Sequence, residues 1–195
     1  MRSTEEQIIK MKTLTIIFSW RAKLINLNQI LNMSKKLLIY LILFVPLLVL
    51  NAQKNIPNIP IETFKGTYTT MSKELNEDSF YIISFWATWC VPCINELHAI
   101  NEVYDELSKE MDFKVLAIST DAARTKRRVK PLVNGKAWKF DVLLDENHDL
   151  KRALNISGLP HTIIARKNQI LHRRVGYAPG EELGLLDKLK EYEIK

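Results

Sequence analysis

From Phe80 onward the chain alternates two hydrophobic patterns. Short apolar runs with the length of strands lie at Phe80 to Phe85, Phe113 to Ser119, Phe140 to Leu144, Thr162 to Arg166 and Gln169 to Val175. Amphipathic stretches of helical character lie among them, at Cys90 to Lys109, Ala122 to Val133, a short one near Asn147 to Leu154, and a closing one from about Gly180. Strands alternating with helices predict crossover connections and a largely parallel sheet. The last two strands are separated only by the polar break Arg166-Lys167-Asn168-Gln169, which predicts an antiparallel hairpin. The class is α/β, with a mixed central sheet and helices on both faces.

On the first long helix Ile94, Leu97, Ile100, Tyr104 and Leu107 recur at spacings of three and four and define one buried stripe. Cys90 therefore opens a helix. Free backbone N–H groups and a partial positive charge at that end both favour thiolate over thiol.

Upstream the pattern changes. Asn55 to Pro60 reads Asn-Ile-Pro-Asn-Ile-Pro, where each proline biases its predecessor away from helix, so residues 53–60 are expected to be an extended linker and the folded domain, 61–195, to begin near Ile61. Before that, Met33-Ser34-Lys35-Lys36 precedes the apolar run Leu37 to Leu50 and then Asn51-Ala52-Gln53. A basic start, a short apolar stretch and a small residue at a cleavage point make residues 33–52 a secretory signal. The run of 14 residues, interrupted by Pro46, is short for a spanning helix of ~20, so cleavage is favoured over a membrane anchor. The expected location is periplasmic or otherwise extracytoplasmic. Residues 1–32 fit no export signal and precede a second methionine, so they read as a mis-assigned start or a cytoplasmic stub.

The 195 residues and 47% hydrophobic content suffice for one ordinary core. The formal charge of +6 changes meaning once divided, because from Gln53 onward 21 Lys/Arg face 20 Asp/Glu. A nucleic-acid reader keeps its basic excess on the folded domain, so no nucleic-acid partner is expected. Arg124 to Lys130 is locally basic, with five cations in seven residues, and reads as a solvated helix face.

Two cysteines are too few for a disulfide-stapled scaffold or a four-thiolate zinc site. They stand as Cys90-Val91-Pro92-Cys93, and so short a loop constrains the unfolded chain little, which argues for redox exchange over structural bracing. Ile94 follows where a c-type haem site needs His. Cys90, at the exposed helix start, is the expected attacking thiol, and Cys93, one turn inside, the resolving one. His148 and His172 show no metal-ligand spacing and read as surface residues.

Phe85-Trp86-Ala87-Thr88-Trp89-Cys90-Val91-Pro92-Cys93 resembles the active-site strand and turn of the thioredoxin superfamily. With Ile94-Asn95-Glu96, the pattern Trp-Cys-x-Pro-Cys-x-x-Glu resembles the TlpA/ResA-type thiol-disulfide oxidoreductases over residues 61–195. Gly158-Leu159-Pro160 matches that family's cis-proline loop and Gly176 its glycine after the last strand. The resemblance implies a thioredoxin-like fold and substrate contacts at Trp89, Pro92, Leu159 and Pro160. The acid that many thioredoxins bury six residues before the first cysteine is replaced by Ser84, which leaves Glu96 to move protons at Cys93. His98 and His161 stand where the family usually has Pro and Thr; His161 reads as a partly exposed strand residue. Trp86 and Trp89 are expected to pack under and beside the cysteines, and Trp138 in the core.

The implied partners are a disulfide-bearing protein substrate, apocytochrome c among the relatives, and a membrane-embedded thiol reductase as electron donor. No cofactor and no metal are implied. Two rival readings are a copper chaperone on the same fold, whose relatives space their cysteines by three residues and supply a later histidine, and a thiol peroxidase, which wants Thr or Ser before a lone Cys in a proline-containing loop. Thr88 meets part of the latter requirement, while neighbouring Cys93 favours exchange. Pro92 resembles the reducing branch of the superfamily.

Overall fold

A computed structural model describes Lys35, Lys36, Tyr40, residues 55–75 and residues 78–194. The chain divides into two units, Met1–Ala52 and Gln53–Lys195. The expected N-terminal extension and leader fall outside the described residues, apart from Lys35, Lys36 and Tyr40, which are helical. Among the described residues no helix is long and apolar enough to cross a membrane.

The second unit is built on a seven-stranded mixed sheet. Its strands are β1 (Pro60–Thr63), β2 (Tyr68–Thr70), β3 (Phe80–Trp86), β4 (Phe113–Ser119), β5 (Asp141–Leu144), β6 (His161–Arg166) and β7 (Gln169–Val175), in the spatial order β2-β1-β5-β4-β3-β6-β7. The helices are α1 (Met71–Glu74), α2 (Val91–Glu110), α3 (Val129–Lys136), α4 (Asp149–Ala153) and α5 (Glu181–Ile194). The expected β6–β7 hairpin is present.

Parallel pairing is confined to β3 with β4 and β4 with β5, and the other four pairings are antiparallel. The sheet is thus less parallel than the alternation of strands and helices predicts. Hydrophobic period says nothing about strand direction, and β6 runs back against β3.

All seven residues of β3 are buried, as a central strand covered on both faces requires. Its even-numbered apolar residues Phe80, Ile82 and Trp86 join Leu97, Ile100 and Leu107 of α2 and Leu185, Leu186 and Leu189 of α5 in one core cluster. Its odd-numbered Tyr81, Ile83 and Phe85 join Met71, Leu150, Leu154 and Ile156 in another on the opposite face. The period of two along β3 is therefore what separates the two layers. Trp138 is buried as expected and meets Trp86 edge-on, with ring centroids 5.1 Å apart.

Three local differences from the sequence expectation have physical reasons. The helix expected over Ala122 to Val133 begins later: residues 123–125 turn, Lys126–Arg128 form a 3-10 turn, and α3 starts at Val129. A helix from Ala122 would put Pro131 in its interior, where proline removes a hydrogen bond and clashes; starting at Val129 leaves Pro131 in the first turn. The β1–β2 hairpin has strands of four and three residues, too short for a period to declare itself, and turns at Gly66, whose φ of +87° suits glycine. The linker expected at residues 53–60 is extended where described but is held to the domain. Ile56 is buried, its N–H donates to the Asn168 carbonyl at 2.7 Å, and Asn55 bridges Gln169.

Candidate active site

Strand β3 ends at Trp86, and a short turn delivers Cys90 as the N-cap of α2, where the Ile94 N–H donates to its carbonyl at 3.1 Å. Cys90 and Cys93 are joined in a disulfide. Cys90, expected at an exposed helix start, is nearly buried at 6% exposure because it packs in the core cluster with Trp86 and Ala87, while Cys93 is 0% exposed, so Cys90 is the more accessible of the pair. The first turn of α2 contains no acidic residue, which leaves its positive end undiminished beside Cys90. Pro92 sits at the second helical position, where its missing N–H costs nothing.

Glu96 is fully buried, against the usual habit of glutamate on a helix surface. Its Oε1 accepts from Arg174 at 2.7 Å and from the Thr162 hydroxyl at 2.8 Å; its Oε2 accepts from the Ser84 hydroxyl at 2.9 Å and lies 2.9 Å from the same Thr162 oxygen. Three donated hydrogens meet roughly four acceptor sites on an ionised carboxylate, leaving about one open. Ser84, which stands where many thioredoxins have an acid, thus serves the acid that stands on α2. Arg174 in turn donates to the Glu181 carbonyl at 2.5 Å and lies over the Tyr177 ring at 5.9 Å. Tyr177 donates to Glu182 at 2.7 Å, and burial, then that bond, pushes its phenol up to about 12.

The Leu159-Pro160 peptide bond is cis, as the family resemblance implies for this loop. His161 pairs with Phe85, which sets Pro160 alongside the end of β3 from which the cysteine turn departs. Gly176, at φ +84°, donates its N–H to the Pro160 carbonyl at 2.8 Å. Trp89 and Val91 are 61% and 65% exposed, Pro92 is exposed and Leu159 half-buried. Val175 is also exposed, and its Cγ1 would stand 3.3 Å from a Cβ on Gly158, so it borders the cis-proline loop. Pro160 itself is buried.

His161 is buried where the sequence suggests partial exposure, and neither ring nitrogen has a hydrogen-bond partner among the described residues. Burial first, then the charge of Arg173, lower its pKa. A neutral imidazole brings no charge to Cys90. His148 is not a plain surface residue either, since its Nε2 donates to the Thr120 carbonyl at 2.8 Å. Among the described residues no group of three or more His, Cys, Asp or Glu is placed to hold a metal ion.

The turn before Cys90 has a clamp that sequence reading missed. Asp121, buried at the end of β4, accepts from the Thr88 N–H at 2.8 Å, the Thr88 hydroxyl at 2.6 Å and the Ser119 hydroxyl at 2.9 Å. Arg174 and Thr162 were likewise invisible: a basic residue on an exposed-looking strand and a threonine after His161 carry no spacing signal toward Glu96, 78 and 66 residues away.

A sheet of this order, with its disulfide at the head of the helix that leaves the central strand, is that of the thioredoxin-like proteins. Residues 52–174 match the AhpC/TSA family, and the chain belongs to it. It is 29% identical over 138 residues to the thiol-disulfide oxidoreductase ResA of Bacillus thuringiensis, covering 70% of this chain and 77% of that one. A thioredoxin-like protein of Porphyromonas gingivalis, solved in solution, is 38% identical with a TM-score of 0.63, covering 72% of this chain and 91% of its own. A thiol-disulfide oxidoreductase of Bacteroides fragilis is 25% identical with a TM-score of 0.58, covering 70% and 99%. The protein is a thiol-disulfide oxidoreductase of the ResA type.

Proposed function

We propose that the protein reduces disulfides of other proteins outside the cytoplasm through a Cys90/Cys93 dithiol-disulfide couple. The observation that carries this reading is the joining, in one disulfide, of the more accessible cysteine at a helix N-terminus with a fully buried one. In the reduced protein the Cys90 thiolate attacks one sulfur of the substrate disulfide, forming a mixed disulfide and expelling a substrate thiolate. Cys93 then loses its proton to Glu96, one helical turn on, and attacks the Cys90 sulfur; the second substrate thiolate leaves and takes up a proton. Two electrons pass from the dithiol to the substrate, and Cys90–Cys93 is left as the disulfide.

Trp89, Pro92 and Leu159 form the surface on which an extended substrate chain lies, with Val175 added at its border and the buried cis-Pro160 shaping the loop beneath Leu159. A thiol reductase in the membrane restores the dithiol. The extracytoplasmic location rests on the basic and apolar character of residues 33–52. Oxidised apocytochrome c is the substrate class that the family resemblance implies, and a peptide carrying an oxidised Cys-x-x-Cys-His segment tests it.

The test of the whole reading is reduction of insulin by the full-length protein with dithiothreitol as donor. Turnover that vanishes in Cys90→Ser supports the couple, and turnover retained in that variant refutes it. The copper-chaperone reading needs a histidine placed with the two cysteines, and no His, Asp or Glu among the described residues joins them in a group that could hold a metal ion. The peroxidase reading requires a lone peroxidatic thiol where this fold has a disulfide pair.

A further inference from the structure

The five cations between Arg124 and Lys130 are not one solvated face. Lys126 turns inward and is held by Glu62 at 2.5 Å and Glu146 at 2.6 Å, and Lys130 lies over the Phe64 ring at 5.8 Å. Arg124, Arg127 and Arg128 are exposed and have no carboxylate partner among the described residues. The nearest acid in sequence, Asp121, is buried and occupied by Thr88 and Ser119. The lysine in the middle of the run is therefore ion-paired, whereas the three arginines present unpaired guanidinium groups to solvent.

The platform beneath them is ordered. Thr125 and Lys126 donate their N–H groups to the Ala122 carbonyl, and Arg128 donates its own to Thr125, all within 2.9 Å. Its place is set by topology. β3 and β4 are parallel neighbours, so the segment leaving β4 emerges at the same end of the strands as the Cys90 turn leaving β3. Asp121 fastens the two segments together through both hydrogen-bonding groups of Thr88, two residues before Cys90. A cationic segment is thus tied at its start, three residues before Arg124, to the turn that bears a disulfide whose immediate surroundings, Trp89, Val91 and Pro92, are exposed and uncharged.

We infer that this segment selects protein substrates whose disulfide is flanked by Asp or Glu. This deepens the reductase reading and rests on it. An apolar centre with charges at its rim is how interfaces divide their labour, the rim governing encounter and choice of partner. Nucleic acid is a poor occupant, since the residues from Gln53 onward carry 21 Lys/Arg against 20 Asp/Glu. The segment tied to the thiol's turn selects what the thiol acts on.

The test uses the full-length protein, reduced beforehand, and three synthetic peptides with the same disulfide loop, flanked by Asp, by Lys or by uncharged residues. Single-turnover rates are measured at about 10 mM salt, where charges act over ~30 Å, and at about 1 M, where they act over ~3 Å. The Asp peptide is expected to react roughly tenfold faster than the Lys peptide at low salt. That gap closes at high salt and in the Arg124→Gln/Arg127→Gln/Arg128→Gln variant, whose rate on the uncharged peptide stays at wild type. Equal rates for the Asp and Lys peptides at low salt, or a preference that survives in the triple variant, overturn the inference alone. A protein that reduces none of the three overturns the reductase reading and the inference with it.

Discussion

Arg174 on β7 donates to Glu96 on α2 at 2.7 Å, and the carboxylate it reaches is wholly shielded from water. A glutamate is rarely buried without a counter-charge, and here the cation comes from the far end of the sequence. Removing one partner leaves the other charge buried and uncompensated. Arg174→Met is expected to destabilise the protein by about 3–5 kcal/mol, and the double variant with Glu96→Gln to recover part of that loss, as contacting residues fail to add. Urea unfolding measures both. An Arg174→Met protein as stable as wild type would show that the pair holds nothing.

Glu96→Gln keeps the outline of the side chain and most of its hydrogen bonds while removing the charge that takes the Cys93 proton. Exchange is expected to slow by about 10²-fold or more, the range of general-base catalysis, and its pH dependence to shift. The measurement is the pH–rate profile of insulin reduction, and an unchanged profile removes Glu96 from the mechanism.

Cys93→Ser leaves an attacking thiol with nothing to resolve its product. Mixed disulfides between Cys90 and substrate are expected to accumulate and to be visible on non-reducing gels. Their absence, with Cys90 still alkylated by iodoacetamide, would contradict the assigned order of attack.

Asp121 is expected to act by placing the turn that bears Cys90. Asp121→Ala strands the Thr88 N–H and two hydroxyls, each loss of a buried partner costing about 1–3 kcal/mol, whereas Thr88→Val removes one hydroxyl for about 1 kcal/mol. The expected order of both instability and slowed exchange is Asp121→Ala beyond Thr88→Val. Equal effects would assign the clamp to the Thr88 hydroxyl alone.

Burial and Arg173 hold the pKa of His161 below its ordinary value, and burial, Lys188 and Arg174 do the same for His172. As the pH falls below about 6.5 the unfolded chain takes up these protons before the folded one, so stability is complete above that pH and drains away beneath it. His161→Phe removes one of the two groups, and its stability is expected to fall less steeply between about pH 6.5 and 5. A slope identical to wild type would place the acid sensitivity elsewhere.

The parts of this fold legible in the sequence were those with a strong local period or a chemically committed motif. β3, α2, β4 and the β6–β7 hairpin followed from runs of five or more patterned residues, and Cys90-Val91-Pro92-Cys93 named its own chemistry through its place at a strand-to-helix junction. The β1–β2 hairpin was too short to show a period, and the direction of β6 has no signature in hydrophobicity. Glu96 was legible as a candidate but its burial was not, because what buries it is a set of contacts from β3, β6 and β7. Ser84 reads in the sequence as a missing acid, and only the fold shows its hydroxyl turned toward the acid that remains. Arg124 to Lys130 read as uniform charge, and only three-dimensional pairing separates neutralised Lys126 from the free arginines around it.

The most direct test is the reduction potential of the full-length protein, equilibrated against glutathione and dithiothreitol buffers and followed by thiol labelling. One reversible two-electron couple near thioredoxin's, about −270 mV, is expected, and it is absent in Cys90→Ser. A couple near −120 mV would contradict the assignment as a reductant, and no reversible couple at all would contradict the site itself.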